Sequence, residues 1–139
     1  MRCAARGRLG GTLGKGAALL LLALVPLAAG ADPTKAQEEA VKRLLAVYER
    51  AIETKDLALF RSVKPNLTSD EEKRLRKAFD STKTQEVTIS IAAVECQDKT
   101  CVVRLNRRDT LDASIVSSFP QTMRLVQSPE GLVIEEIGR

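Results

Sequence analysis

The sequence predicts an α+β domain in which N-terminal helices pack on a curved antiparallel sheet of about four strands. Three observations predict it. Residues 34–81 carry apolar side chains at helical spacing, residues 86–137 alternate with a period of two, and turn-forming residues divide this second half into hairpins. Helices that come first and strands that follow favour a helical layer covering one face of the sheet.

Residues 1–31 predict a secretory signal peptide. A basic segment leads into the apolar run AALLLLALVPLAAGA, and Ala29 and Ala31 supply the small residues of a cleavage site. The run is shorter than the roughly 20 apolar residues of a membrane-spanning helix, and it contains Pro26. We therefore expect cleavage after Ala31, export to the periplasm or the outside of the cell, and no stable membrane anchor after cleavage.

The charge balance changes when the leader is set aside. The leader has four basic residues and no acidic one, namely Arg2, Arg6, Arg8 and Lys15. Of the 22 Lys and Arg residues in the chain, 18 then remain, against 18 Asp and Glu residues. Because the predicted single domain at 32–139 is formally neutral, we expect no nucleic-acid partner.

The segment CQDKTC at 96–101 places two cysteines around four turn-forming residues. In an exported protein, an even pair of cysteines is usually oxidised. Zinc would need two further ligands, the chain has no histidine, and the C-x4-C spacing differs from the C-x-x-C of thiol oxidoreductases. A structural disulfide between Cys96 and Cys101 is the first interpretation; two free thiols and a redox role are the alternatives. No metal or cofactor is expected.

The first helix is predicted from Thr34 to about Thr54, and a short second helix follows it. Charged residues cover one side of the first helix, so we expect that side to face solvent. Asp56 is the expected N-cap of the second helix, which ends before Pro65. The apolar stripe of the first helix consists of Val41, Leu44, Leu45, Tyr48, Ala51 and Ile52.

A third helix is predicted in LTSDEEKRLRKAFD. Thr68 or Ser69 can serve as its N-cap, and Glu71 or Glu72 three residues later can complete a capping box. Acidic residues come first and basic residues follow, which suits the helix dipole. The side chains expected to face inward are Leu75, Ala78 and Phe79.

Two strands, EVTISIAAVEC and CVVRLNRRDTL, are predicted to form a hairpin with a four-residue loop at 97–100. Strict alternation would put the apolar residues before Ala92 and those after Ala93 on opposite faces. One extra residue restores a common face, so we predict a β-bulge at Ala92 and Ala93. The face shared through the bulge carries Val87, Ile89, Ile91, Val94, Cys96, Cys101, Val103 and Leu105.

A second hairpin is predicted from PQTMRLV and LVIEEI, joined by the turn Ser128–Gly131. Met123 and Leu125 should face Leu132 and Ile134 or their neighbours. Between the two hairpins, DTLDASIVSSF could be a loop, a strand extension or the rim of a pocket.

This order of elements resembles the nuclear transport factor 2-like superfamily. The resemblance rests on the segments YERAIETKDLALFRSV, TSDEEKRLRKAF and GLVIEEI together with the disulfide hairpin, and it covers most of residues 32–139. It implies an exported bacterial member of a superfamily that includes ketosteroid isomerase, SnoaL-type cyclases and many ligand-binding proteins. The implied fold is a cone in which helices close one side of a bent, cystatin-like sheet.

The sequence departs from the enzymatic members of that superfamily. Those enzymes place a carboxylate base or an Asp-His pair inside the cone with tyrosine or acid donors opposite, whereas this chain has no histidine and one tyrosine. The candidate catalytic residues are Tyr48 with Asp109 or Asp112, and Glu95 is a further carboxylate. Asp109 follows Arg107 and Arg108, which predicts an ion-paired surface residue more than a desolvated base.

We therefore expect an exported, non-catalytic domain that binds a small apolar ligand or a partner protein through its sheet. The alternative is a small lyase or isomerase of the ketosteroid isomerase or SnoaL type. A homodimer formed through sheet faces is compatible with the first expectation.

Overall fold

The computed structural model describes residues 31–139, so the predicted signal peptide, including Ala29, lies outside the described residues except for its last residue, Ala31. Three helices pack on one four-stranded antiparallel sheet, which confirms the predicted α+β fold. The helices are α1 (Lys35–Glu53), α2 (Leu57–Val63) and α3 (Ser69–Ser81), and the strands are β1 (Gln85–Gln97), β2 (Thr100–Leu111), β3 (Ile115–Ser128) and β4 (Gly131–Gly138).

Each helix begins at a side-chain cap of the kind that the sequence indicates. Thr34 and Thr68 form capping boxes with Gln37 and Glu71, in which each side chain binds the backbone N–H of the other residue. The Asp56 carboxylate accepts a 2.9 Å hydrogen bond from the backbone N–H of Leu59. These caps satisfy N–H groups that have no partner within the helix.

The four strands follow one another in the order β1-β2-β3-β4, each antiparallel to the next. The segment between the predicted hairpins is a strand extension, because Leu111 pairs with Ile115 across a tight turn. The inner face is the side of the sheet that packs against α1 and α2. In the last hairpin, Leu125 pairs with Ile134 and Met123 pairs with Ile137.

The β-bulge occurs where it was predicted. Ile91 pairs with Leu105 and Ala93 pairs with Arg104, so Ala92 is the extra residue. The predicted loop length is wrong, because Gln97 already pairs with Thr100 and the loop has two residues. Asp98 in this loop has a φ of 56°, a conformation that Asp tolerates better than most residues.

The core lies between α1, α2 and the inner face of the sheet. Val41 and Ala51 from α1 are fully buried, as are Val103, Met123 and Leu125 from the sheet. On α3, Phe79 is buried and Leu75 is half-buried, but Ala78 is exposed, so its predicted inward position is wrong. Helix α3 has few apolar residues and presents only part of one turn to the core.

Helix α1 also protects the free edge of β1. The carboxylates of Glu53 and Glu49 accept 3.0 Å hydrogen bonds from the backbone N–H groups of Val87 and Ile89. Ala31 exchanges two backbone hydrogen bonds with Cys96 further along the same edge. Unpaired strand edges recruit other strands, so these contacts leave β1 less available for pairing.

A disulfide joins Cys96 to Cys101 across the first hairpin, with an S–S distance of 2.06 Å. The two residues are direct cross-strand partners, and both are buried in the core. The bond therefore fixes the pairing of β1 with β2 at the end where the bulge would otherwise permit a shift.

Removal of this bond should lower stability modestly. The loop that it closes is short, so the double substitution Cys96→Ala and Cys101→Ala should reduce the free energy of unfolding by about 2 kcal/mol. Urea unfolding of the oxidised wild type, the reduced wild type and the double variant measures this. Equal midpoints for all three proteins would show that the bond does not constrain the unfolded chain.

Candidate functional site

Two charged residues interrupt the apolar inner face of β2. Cys101, Val103 and Leu105 point to the core, and the same alternation continues to Arg107 and Asp109. Arg107 pairs with Ile89 of β1 and Asp109 pairs with Val87, so both charges share a face with aliphatic residues. An ion pair in such a position needs extensive hydrogen bonding to offset its lost hydration.

The Arg107 guanidinium supplies that hydrogen bonding. Its Nε and Nη2 atoms each donate a 2.6 Å hydrogen bond to one oxygen of Asp109, and Nη1 donates a 2.6 Å hydrogen bond to the Tyr48 hydroxyl. Gln85 Nε2 donates to Asp109 Oδ2 at 2.9 Å. We refer to Tyr48, Gln85, Arg107 and Asp109 as the Arg107 cluster.

Two members of the Arg107 cluster, Tyr48 and Arg107, have a raised pKa. Burial raises the pKa of Tyr48, and this outweighs the lowering caused by Arg107 and the Gln121 amide. Burial by itself lowers the pKa of Arg107, but the contacts with Asp109 and Tyr48 bring it above its ordinary value. Near neutral pH Tyr48 is therefore a neutral phenol and Arg107 a cation.

The structure brings together two of the three candidate catalytic residues. Tyr48 and Asp109 both bind Arg107, whereas Asp112 lies in the exposed β2–β3 turn. Asp112 accepts hydrogen bonds from the backbone N–H groups of Thr84 and Lys83, which lower its pKa. The expectation of a surface position for Asp109 is wrong, because the residue is only 6% exposed and lies on the inner face.

Sequence reasoning missed Arg107, Gln85 and Gln121. For Arg107 a signal was present, since odd-numbered residues of β2 face the core and Arg107 continues that series. Its charge nevertheless favoured a solvent-facing position, as for Arg108 beside it. Gln85 lies in β1 opposite Leu111, and no local pattern predicts its bond to Asp109.

An open cleft of about 430 Å³ lies between α2, α3 and the last two strands. Its apolar wall consists of Phe60, Leu67, Leu75, Ala78 and Ile137, and its polar residues are Lys64, Glu71, Arg74, Gln121 and Arg139. Lys64 is only 5% exposed, and its ammonium group contacts Glu71 at 3.0 Å and Asn66 at 3.1 Å. Hydrogen bonding to Lys64 lowers the pKa of Glu71.

The floor of the cleft adjoins the Arg107 cluster. The Phe60 ring lies 5.7 Å from the Tyr48 ring, and Gln121 interacts with the Tyr48 hydroxyl. Gln121 is 8% exposed, and its Oε1 atom is buried without a hydrogen-bond partner among residues 31–139. A buried amide oxygen without a partner costs about 1–3 kcal/mol, which a rearrangement or a ligand could recover.

The described part of the chain contains no group of three His, Cys, Asp or Glu residues that could hold a metal ion. Across the same residues, no helix combines the length and the apolar character needed to cross a membrane.

No protein-family model matches the chain, and no curated protein sequence matches it. Several solved structures match the chain. Protein Kfla4162 of Kribbella flavida is 14% identical with a TM-score of 0.62, and the match covers 75% of this chain and 89% of that one. A candidate dehydratase of the NTF2-like family from Streptomyces avermitilis is 11% identical with a TM-score of 0.61, and the match covers 76% and 96%.

A third structure, a protein of unknown function with a cystatin-like fold from Nostoc punctiforme, is 11% identical with a TM-score of 0.58 over 76% of this chain and 91% of that one. At these identities the likeness shows the fold alone. The chain therefore has the nuclear transport factor 2-like, cystatin-like fold that the order of its elements indicated.

Arg107 should contribute strongly to stability. The substitution Arg107→Met leaves Asp109 buried without a counter-charge, which should lower the free energy of unfolding by about 3–5 kcal/mol. Arg108→Met is the matched control, since Arg108 is exposed, and it should change stability by less than about 0.5 kcal/mol. Urea unfolding measures both.

The double variant Arg107→Met with Asp109→Leu removes both charges and should recover most of the loss. If Arg107→Met were no more destabilising than Arg108→Met, the cluster would not be an essential part of the core.

Proposed function

We propose that this protein is a non-catalytic domain that binds a small, largely apolar ligand in the cleft between α2, α3 and the sheet. The observation that carries the proposal is the cleft itself, in which Phe60, Leu75 and Ile137 form a shared apolar wall beside polar side chains. The lining has five apolar and five polar residues, and the volume of about 430 Å³ lies within the usual range of small-molecule sites.

A partner protein bound through the outer face of the sheet is less well supported. The exposed apolar residues of that face include Val102 and Val116, but they alternate with Arg104, Arg108 and other polar residues. Stable protein interfaces need a contiguous apolar centre, which these separated valines do not supply.

The lyase or isomerase interpretation ranks second. Two observations favour it, namely that Tyr48 and Asp109 meet at Arg107 and that the fold is shared with a candidate dehydratase. Asp109, however, is only 6% exposed, Arg107 binds both of its oxygens and Gln85 binds Oδ2, so little of the carboxylate is open to a substrate. Tyr48 and Asp109 are also not among the residues that line the cleft.

Export of the domain is part of the proposal. The predicted leader supports it, and a buried disulfide is a feature that persists in oxidising compartments. Ala31, after which cleavage is predicted, pairs with Cys96 in the folded domain, so cleavage there would release two backbone groups of Cys96.

Filling the cleft should abolish ligand binding. Ala78 is exposed and lines the cleft, so Ala78→Trp should occupy its space without disturbing the core. We expect the neutral probe N-phenyl-1-naphthylamine to bind the wild type saturably, and roughly tenfold more weakly to Ala78→Trp. Fluorescence titration measures this.

The matched control is Ala40→Trp, which adds the same side chain beside a separate surface cleft between α1 and the β3–β4 turn. It should leave probe binding unchanged. No saturable binding by the wild type, or equal loss in both variants, would overturn the proposed site.

Expression of the full chain with its leader tests export. We expect the exported protein to have the mass of residues 32–139 less two hydrogen atoms, since cleavage follows Ala31 and the disulfide forms. Intact-mass spectrometry before and after reduction measures both features. Retention of the leader, or two reduced cysteines in the exported form, would contradict the proposal.

A further inference from the structure

The cleft contains more positive than negative charge. Its ionisable residues are Lys64, Glu71, Arg74 and Arg139. The Glu71 carboxylate lies 3.0 Å from the Lys64 ammonium group. No carboxylate side chain of residues 31–139 lies within 4.0 Å of the guanidinium of Arg74 or Arg139. Two guanidinium groups beside the same apolar wall thus lack a counter-ion on the side chains of residues 31–139.

The excess of positive charge in the cleft does not arise from a lack of acidic residues nearby. Helix α3 places Glu72 directly after Glu71, but Glu72 pairs with Arg61 of α2 and with Arg76 of its own helix. Glu71 and Glu72 are therefore directed to partners other than Arg74. Of the arginines on α3, the one that lines the cleft is the one without an ion pair among the described residues.

Arg139 is positioned by an aromatic ring. Its guanidinium carbon lies 4.4 Å from the centre of the Phe119 ring, close enough for a cation–π interaction. The same ring is 5.5 Å from the guanidinium carbon of Arg107. Stacking on an aromatic face uses the plane of the guanidinium and leaves its N–H donors available at the edge, where they can bind a carboxylate in a bidentate manner.

We propose that the ligand of this cleft is a monocarboxylate amphiphile, an apolar chain or ring system that bears one carboxylate. The inference rests on the proposed function and specifies the chemistry of the same site. Arg139 and Arg74 bind the carboxylate at the cleft mouth. The apolar body lies against Phe60, Leu75 and Ile137.

Three ligands with the same ten-carbon chain separate the head group from the apolar body: decanoate, decanol and decylammonium. Isothermal titration calorimetry below their aggregation concentrations should show decanoate binding roughly tenfold more tightly than decanol, with decylammonium the weakest. Decanoate affinity should also fall as sodium chloride rises, while decanol affinity should not, because added salt screens only the charged contact.

The double variant Arg74→Gln with Arg139→Gln should bind decanoate only as tightly as decanol, and Arg139→Lys should keep part of the preference. The matched control is Lys73→Gln with Lys77→Gln, which removes two charges from α3 outside the cleft and should leave the preference intact.

Two results would overturn the inference in different ways. If decanol and decanoate bind equally and the arginine variant changes neither, the cleft binds ligands but does not select carboxylates, and the proposed function stands. If neither ten-carbon ligand nor N-phenyl-1-naphthylamine binds, the proposed function fails together with the inference.

Discussion

One half-buried guanidinium links most of the elements of this domain. Arg107 of β2 binds Asp109 on its own strand and Tyr48 of α1, and it lies against Phe119 of β3. Through Asp109 it also orders Gln85 of β1. A charge in this position is tolerated only when its hydrogen-bonding groups are matched, so the packing of α1 on the sheet depends on these partners being in place.

The Arg107 cluster and the cleft are two distinct parts of the molecule. The polar residues that resemble catalytic groups are bound to one another inside the core, where Arg107 donates a hydrogen bond to each Asp109 oxygen. Gln121, whose Oε1 lacks a described partner, lies in the cleft beside α2 and α3 together with Arg74 and Arg139. Gln121 belongs to both regions, because it interacts with Tyr48 and lines the cleft. A ligand that changes the position of Gln121 would therefore also change the contact between Gln121 and Tyr48.

The fold was largely predictable from local pattern, and the site was not. Helix caps, the alternation of the strands and the bulge at Ala92 depend on residues close in sequence, so their spacing carries the information. The hairpin loop was assigned two residues too many, because turn-forming residues can also continue a strand pair. Asp109 was placed on the surface because its neighbours are charged, although its place in the alternation of β2 indicated the inner face.

By itself, the sequence determined the order of the elements, the face that each strand turns to the core and the two cysteines that meet across the first hairpin. These properties follow from backbone periodicity and from the geometry of adjacent strands. Only the tertiary structure decided that Arg107 meets Tyr48, 59 positions apart in the sequence, and that Arg74 and Arg139 line one cleft. Such contacts depend on how the helical layer sits on the twisted sheet, and no local spacing in the chain encodes that angle.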